Sequence, residues 1–253
     1  MTETTHVDAE APASREKLHG AIFDLDGTLL DTEGLSKIVI NQIVSQFGKT
    51  FTDALQKSIL GRPSAEWTRM VLAGCEISES ELSPDDMAHQ WEVGMNELMD
   101  QVEELRGGVE LLRALHARKI PIALATSSSK SVVATKIKHH PELFSYFSVM
   151  VCGDDPAVKR GKPSPDIFRV AGQRLFGLAE DESPEHAPPR CVVFEDSVNG
   201  VRAGNDAGMY SIALPDVRIH TEPEVRATLF AHAREVLTSL EEFDLDKYDW
   251  ELQ

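Results

Sequence analysis

Short apolar runs separated by amphipathic stretches are the main pattern along this chain of 253 residues. Apolar residues at helical spacing between these runs predict helices. Strands buried on both faces of a parallel sheet are apolar throughout, because helices cover both faces. The alternation of the two patterns predicts an α/β fold with a doubly wound parallel sheet. The predicted strands are 21–23, 120–125, 148–152, 191–194 and 209–214.

An all-helical insertion interrupts this alternation after the first strand, because no strand pattern occurs between about 34 and 104. We therefore predict a flexible polar tail (1–17), a core domain (18–33 and 106–253) and an inserted helical domain (34–105). Helices are predicted in the insertion at 38–47, 53–59, 64–73 and 84–98, continuing into 102. Core helices are predicted at 109–117, 130–139, 143–147, 166–176 and 201–207, with a surface loop at 178–190.

Two carboxylates, Asp24 and Asp26, end the first predicted strand just before Gly27. Residues two apart in a strand point to the same face, so these side chains face desolvation and mutual repulsion. Such a pair implies a shared proton or a bound cation. Mg²⁺ suits the site, because carboxylates are hard oxygen ligands and no Cys or His lies nearby. The alternative is a pair of solvated turn aspartates, since Asp-x-Asp-Gly also suits an ordinary turn.

Polar residues follow later strands in the same way. Thr126 and Ser127 end the strand at 120–125, where hydroxyls and helix amides could hold a phosphate or simply cap the next helix. Glu195 and Asp196 end the strand at 191–194, where they could bind a metal or cap a helix. Lys162 precedes Pro163, which favours an extended backbone there, and its alternative role is surface solvation.

Two sequence motifs carry a resemblance to a known family. FDLDGTLLDT at 23–32 and KPSPDIF at 162–168 resemble the first and third motifs of the haloacid dehalogenase-like (HAD) superfamily with a helical cap. The resemblance implies that 34–105 closes over the active site as a cap. It also implies that Asp24 is the nucleophile of a phosphatase and Asp26 its general acid and base.

The same resemblance assigns the other candidates. Thr126 and the Ser127 amide would hold the phosphoryl group, and Lys162 would neutralise it. Mg²⁺ would be the cofactor. Its expected ligands are Asp24, the backbone carbonyl of Asp26, Asp196 and, as a further carboxylate, Glu195.

The substrate is indicated by longer stretches. ALATSSSK at 123–130 and VVFEDSVNGVRAGNDAGM at 192–209 resemble the pseudouridine-5'-phosphatase group and related glycerol-3-phosphatases. The resemblance implies a small phosphorylated metabolite, such as pseudouridine 5'-phosphate, with glycerol 3-phosphate or a sugar phosphate as alternatives. Beta-phosphoglucomutases have a histidine where this chain has Ser36, which weakens a mutase interpretation. Arg62, beside Gly61, is a candidate substrate contact in the cap, or else a solvated side chain. A catalytically idle binding protein of the same fold is the non-enzyme alternative.

Composition limits the partners and the location. The formal net charge of −17 disfavours binding to nucleic acid or to an anionic membrane. No apolar run approaches the roughly 20 residues that span a bilayer. Cys75, Cys152 and Cys191 show no disulfide or metal-ligand pattern, which favours a reducing compartment, and we expect a cytoplasmic monomer.

Overall fold

The core is a parallel β-sheet of six strands. The computed structural model describes residues 17–251 except 60, 61, 63 and 182. The strand order in the sheet is β4-β3-β2-β5-β6-β7, and β1 forms a separate parallel pair with β8. The strands are β1 (Lys17–Leu18), β2 (Gly20–Phe23), β3 (Ile122–Ala125), β4 (Val149–Val151), β5 (Cys191–Glu195), β6 (Tyr210–Ala213), β7 (Glu235–Val236) and β8 (Asp249–Trp250).

Helices lie between these strands, and the first four form the insertion. The helices are α1 (Thr32–Ser45), α2 (Asp53–Ile59), α3 (Ser64–Gly74), α4 (Pro84–Glu97), α5 (Gly108–Ala117), α6 (Lys130–His139), α7 (Pro141–Ser145), α8 (Asp166–Leu175), α9 (Val198–Asp206) and α10 (Pro223–Leu229). The predicted fold class, a doubly wound parallel sheet with an all-helical insertion, is confirmed. Among the helices of the described part of the chain, none is long and apolar enough to cross a membrane.

Alternate residues of the central strands pack into two different hydrophobic clusters. Phe23 of β2 stacks on Phe194 of β5, with ring centroids 4.5 Å apart, in the cluster that extends into the insertion. Ile22 and Val193, one residue earlier on each strand, pack into the cluster on the other face, with α8 residues such as Phe168. Both faces of the sheet are therefore buried, which explains why these strands are apolar throughout.

The sheet has a topological switch point at β2. The chain runs from β2 to β3 and β4 on one side, then returns to place β5 on the other side of β2. The connections after β2 and β5 therefore lead in opposite directions and leave a crevice at the carboxyl ends of these strands. Asp24 and Asp196 lie at this crevice.

The two ends of the inserted segment run side by side. Leu30 and Glu104 form an antiparallel bridge, flanked by hydrogen bonds from the Asp31 amide to the Glu103 carbonyl (2.9 Å) and from the Leu105 amide to the Leu29 carbonyl (2.8 Å). We propose that this short ladder marks the boundary between the core (18–33 and 106–253) and the helical domain (34–105).

Several element ends differ from the sequence prediction. The helix predicted at 201–207 begins earlier, at Val198, because the Ser197 hydroxyl caps it by accepting from the Gly200 amide (3.0 Å). The predicted loop at 178–190 contains a short 3₁₀ turn, Pro184–His186. Lys17, the last residue of the predicted tail, pairs with Asp249 in the β1–β8 ladder, and residues 1–16 lie outside the described part of the chain.

Candidate active site

A buried lysine joins two of the predicted strand ends. Lys162 Nζ donates to Asp24 Oδ1 (2.5 Å), Glu195 Oε1 (2.6 Å) and the Ala125 carbonyl (3.2 Å). The three charged side chains are at most 7% exposed. Burial disfavours the charged form of a lysine, but the two carboxylates outweigh it and raise the pKa of Lys162. Lys162 is thus a fixed positive charge beside Asp24.

Three carboxylates form an acidic cluster at the same place. Oxygens of Asp24, Glu195 and Asp196 all lie within 4.8 Å of one another. Burial, followed by repulsion from Glu195 and Asp24, raises the pKa of Asp196. Burial also raises the pKa of Asp24, and Lys162 only partly offsets it. Lys162 supplies one positive charge against three carboxylates, so the cluster suits a hard divalent cation such as Mg²⁺.

Two glycines make room for this cluster. A Cβ on Gly27 would lie 2.4 Å from Asp196 Oδ2, and the residue has a φ of +82°, which favours glycine. A Cβ on Gly200 would lie 1.8 Å from a Glu195 carboxylate oxygen. The Glu195 and Asp196 carboxylates therefore occupy space that any other residue at these two glycine positions would fill.

The Asp26 carboxylate borders the same cavity but is not one of the three carboxylates of the acidic cluster. It accepts hydrogen bonds from Lys136 Nζ and from Ser128 Oγ (2.7 Å), and Thr126 Oγ1 lies at 3.5 Å. Burial alone would raise the pKa of Asp26, but Lys136 and Ser128 outweigh it and lower the pKa. The predicted metal role of Asp26 therefore concerns its backbone carbonyl, since its side chain is engaged elsewhere.

Thr126 and Ser127 line a cavity of about 440 Å³ together with Asp24, Asp196 and Lys162. Thr126 Oγ1 accepts from the Ser128 amide (3.0 Å), which holds the loop after β3 in a tight turn. Helix α6 begins only at Lys130, so Thr126 is not its N-cap residue. The hydroxyl and amide groups of this loop therefore border the space in front of Asp24.

The rest of the cavity wall comes from residues that were not predicted as site residues. Glu33 of α1 faces the cavity, where burial first, then repulsion from Asp26 and Asp216, raises its pKa to about 7. The remaining wall mixes apolar and polar side chains. It includes Lys57, Ser197, Val198, Asn199, Asp216, Ile219, His220, Leu229 and Phe230.

Arg62 is not among the described residues that line this cavity. Its guanidinium pairs with Glu66 one turn away and donates to the Ser58 carbonyl (2.9 Å), and its side chain is 43% exposed. The structure therefore places Arg62 on the surface of the insertion. Gly61, its neighbour in the predicted substrate loop, lies outside the described residues.

Lys136 is the contact of Asp26 that the motifs did not reveal. It lies on α6 three residues after the buried Val133, on the inward face of the helix. A lysine at an inward position implies a buried partner, because an unpaired ammonium is costly to bury. That periodicity was the available signal, and it did not identify Asp26 as the partner.

The family is decided by comparison with known proteins. The family model described as haloacid dehalogenase-like hydrolase matches residues 18–208. The chain belongs to the haloacid dehalogenase-like hydrolase family. The acidic cluster therefore lies at strand ends that carry the HAD motifs, and Lys162 contacts two of its carboxylates.

Individual HAD proteins resemble most of the chain. A Drosophila melanogaster protein named "Probable pseudouridine-5'-phosphatase" is 38% identical, over 92% of this chain and 94% of that protein. The Arabidopsis thaliana "(DL)-glycerol-3-phosphatase 1, mitochondrial" is 38% identical, over 82% of this chain and 67% of that protein. CbbY from Rhodobacter sphaeroides, solved in complex with phosphate, superimposes with a TM-score of 0.69 at 26% identity, covering 91% of this chain and 98% of CbbY. Family membership and these phosphatase relatives make the chain a phosphoric monoester hydrolase.

Proposed function

We propose that this HAD hydrolase is a Mg²⁺-dependent phosphatase that cleaves a nucleotide-like 5'-phosphomonoester, best represented by pseudouridine 5'-phosphate, through an aspartyl phosphate on Asp24. The observation that carries the proposal is the contact of Lys162 with Asp24 beside the acidic cluster. This arrangement puts a carboxylate nucleophile, a fixed cation and a set of metal ligands in one crevice.

The reaction uses groups at the ends of β2 and β3, together with Lys162. Asp24 attacks phosphorus in line with the leaving group and forms a covalent phosphoryl ester. Lys162 neutralises charge on the phosphoryl oxygens, while the Thr126 hydroxyl and the Ser127 amide orient them. Asp26 gives a proton to the leaving oxygen, then takes one from the water that hydrolyses the ester.

The acidic cluster provides the ligands for the metal. Asp24, Asp196 and the backbone carbonyl of Asp26 would hold Mg²⁺, with Glu195 as a further carboxylate. A bound Mg²⁺ supplies the positive charge that lets an anionic nucleophile approach an anionic phosphate. The raised pKa values of Asp24 and Asp196 support this assignment, because they reflect negative charge that Lys162 leaves uncompensated.

The outer wall of the cavity supports an alcohol portion that has both an apolar and a polar side. Leu229 offers apolar surface, since it is 41% exposed, whereas Ile219 and Phe230 are buried. His220 and Lys57 offer donors for ring oxygens. A pyrimidine nucleoside matches both features. The Drosophila relative, named as a probable pseudouridine-5'-phosphatase, supports the same choice of substrate.

Two other activities are supported less well, hydrolysis of glycerol 3-phosphate and a phosphomutase reaction. Glycerol 3-phosphate is the second candidate because of the Arabidopsis relative, but glycerol would leave the apolar surface of Leu229 uncovered. A phosphomutase needs an additional acid or base where Ser36 lies. The Ser36 hydroxyl accepts from Trp91 Nε1 (2.9 Å), which supports a structural role for this residue.

A substrate panel tests the proposal. The protein, with and without Mg²⁺, is assayed for phosphate release from pseudouridine 5'-phosphate, uridine 5'-monophosphate, glycerol 3-phosphate and glucose 1-phosphate, with Asp24→Asn as the inactive control. We expect the highest kcat/KM for pseudouridine 5'-phosphate and no activity in Asp24→Asn. Preference for glycerol 3-phosphate would select the second candidate, and glucose 6-phosphate without free phosphate would select a mutase. Absence of turnover on every ester would favour the idle binding protein.

Three further predictions from the sequence belong to the proposal. The helical segment 34–105 closes over the active site as a cap, the protein is a monomer, and it is located in the cytoplasm. Chromatography with light scattering tests the oligomeric state.

A further inference from the structure

Lys136 is a buried charge that the mechanism above does not use. Its side chain is 3% exposed, and its Nζ donates to Asp26 Oδ1 and to Ser128 Oγ (3.1 Å). Burying an ammonium is unfavourable unless it is paired, so the position of Lys136 is fixed by its contact with Asp26. The lysine thus contacts the proposed general acid and base directly.

The two oxygens of Asp26 have partners of different kinds. Oδ1 is held by Lys136, whose backbone is part of α6. Oδ2 is held by the hydroxyl of Ser128 and lies 3.5 Å from that of Thr126. Hydroxyls rotate and can donate to another acceptor, whereas a buried ammonium is costly to separate from its carboxylate.

The hydroxyl partners also belong to the loop that would bind phosphate. Thr126 lies in front of Asp24, and its Oγ1 accepts from the Ser128 amide. A phosphoryl group that engages Thr126 would therefore draw a donor away from Oδ2. Oδ2 would then be the oxygen held by the rotatable hydroxyl of Ser128, while Oδ1 stays bound to the Lys136 ammonium.

We infer that Lys136 is a positioning residue, which anchors Oδ1 of Asp26 so that Oδ2 faces the leaving-group oxygen of the substrate. The inference rests on the proposed phosphatase function. It adds the reason why Asp26 lies beside α6 rather than in the acidic cluster.

When Asp24 attacks, the bond from phosphorus to the alcohol oxygen breaks, its electron pair stays on that oxygen, and the oxygen takes the proton from Oδ2 of Asp26. Water then attacks the phosphoryl group on Asp24 and gives a proton to Oδ2. The electron pair of the bond from phosphorus to Asp24 returns to the Asp24 carboxylate, and inorganic phosphate leaves.

The test compares two leaving groups. An alkyl leaving group such as the 5'-oxygen of pseudouridine 5'-phosphate needs the proton of Asp26, whereas p-nitrophenolate is stable enough to leave without it. We expect Lys136→Met to lower kcat for pseudouridine 5'-phosphate by about 100-fold, the usual scale of general acid catalysis, but for p-nitrophenyl phosphate by less than about 10-fold. KM should change little, because Lys136 does not line the cavity.

Matched variants separate positioning from a structural role. Asp26→Asn should show the same dependence on the leaving group, and Lys136→Met added to Asp26→Asn should cause no further loss. Lys138→Met changes an exposed lysine of the same helix and should leave both rates unchanged. Lys136→Gln keeps a donor for Oδ1 and should show a smaller loss with the same selectivity, so it decides the matter if Lys136→Met does not fold.

Equal losses on both esters, or additive losses in the double variant, would overturn the inference and leave the phosphatase proposal intact. No release from either ester by the unmodified protein would overturn the proposed function and this inference with it. Circular dichroism of each variant establishes that it is folded before its rates are compared.

Discussion

Arg218 binds Asp31 with two guanidinium nitrogens, Nη1 at 2.6 Å from Oδ2 and Nη2 at 2.8 Å from Oδ1. Asp31 also caps α1 by accepting from the Gly34 amide (3.1 Å), and Arg218 also pairs with Asp216. The residues are far apart in sequence. The first turn of the insertion is therefore tied to the loop that follows β6, next to the wall of the active-site cavity.

Substitutions at Asp31 should separate its two roles. Asp31→Asn retains an oxygen for the helix cap but loses the ion pair, and we expect a cost of at most about 1 kcal/mol because Arg218 is half exposed. Asp31→Ala loses both contacts and should cost about 1–2 kcal/mol, since an N-cap typically contributes about 1 kcal/mol. Urea denaturation measures both values. Equal costs for the two variants would show that the cap contributes nothing.

Removing Lys162 should destabilise the core as well as abolish turnover. Lys162→Met leaves Asp24 and Glu195 buried without their cation, and breaking a buried pair costs about 3–5 kcal/mol. Adding Glu195→Gln removes one of the two charges and should recover part of the loss. Lys159→Met changes an exposed lysine nearby and should stay within about 0.5 kcal/mol of the unmodified protein. Urea denaturation in EDTA checks these values, and a full loss in the double variant would contradict the electrostatic explanation.

Glu33 should make stability fall as the pH rises. Burial raises its pKa from 4.5 to about 7 in the folded protein, so the folded state binds more protons than the unfolded state between these values. The stabilisation is fully present below pH 4.5 and is lost as the pH passes 7. Glu33→Gln should reduce the decline between pH 5 and pH 8 by about 1–3 kcal/mol, since one pKa unit corresponds to about 1.4 kcal/mol.

The measurement for Glu33 is urea denaturation across this pH range in EDTA. Glu92→Gln, a change at an exposed position of α4, is the matched control. An unchanged pH slope in Glu33→Gln would rule out Glu33 as the source of the decline.

Mg²⁺ should stabilise the folded protein through the acidic cluster. At 100 times its Kd, a ligand specific for the folded state adds about 2.7 kcal/mol. Asp196→Asn should remove most of this gain, whereas Asp206→Asn, at an exposed position, should retain it. The gain should be smaller at pH 6 than at pH 8, because the raised pKa values of Asp24 and Asp196 let protons compete with the metal. Thermal unfolding with and without Mg²⁺ measures the shift, and an equal shift in Asp196→Asn would place the metal elsewhere.

The strand-end residues were predictable because parallel strands bring their carboxyl ends to one edge of a sheet. Asp24, Thr126 and Asp196 each follow an apolar run, and the structure gathers them around one cavity. Lys162 follows no strand in this way. Its contact with Asp24 was expected only from the family motif, since a lone lysine carries no signal of its partner.

The contacts that Lys136, Glu33 and Arg62 make, and the residues of the outer cavity wall, were not predictable in the same way. Lys136 and Glu33 lie on helices, and the contacts of a helix depend on how it packs against elements distant in sequence. Arg62 was chosen because it lies in the insertion, but its contact with Glu66 is local and holds it on the surface. The wall that includes Ile219 and Leu229 comes from the core segment after β6, where no motif occurs.

The bridge between Leu30 and Glu104 has a consequence for how such proteins can diversify. The chain leaves the core and returns to it at two adjacent points, a gap that a tight hairpin turn would also close. Insertions of different length or shape can therefore occupy this position without altering the framework that carries Asp24. Substrate range and bond-breaking chemistry can then evolve separately on one scaffold.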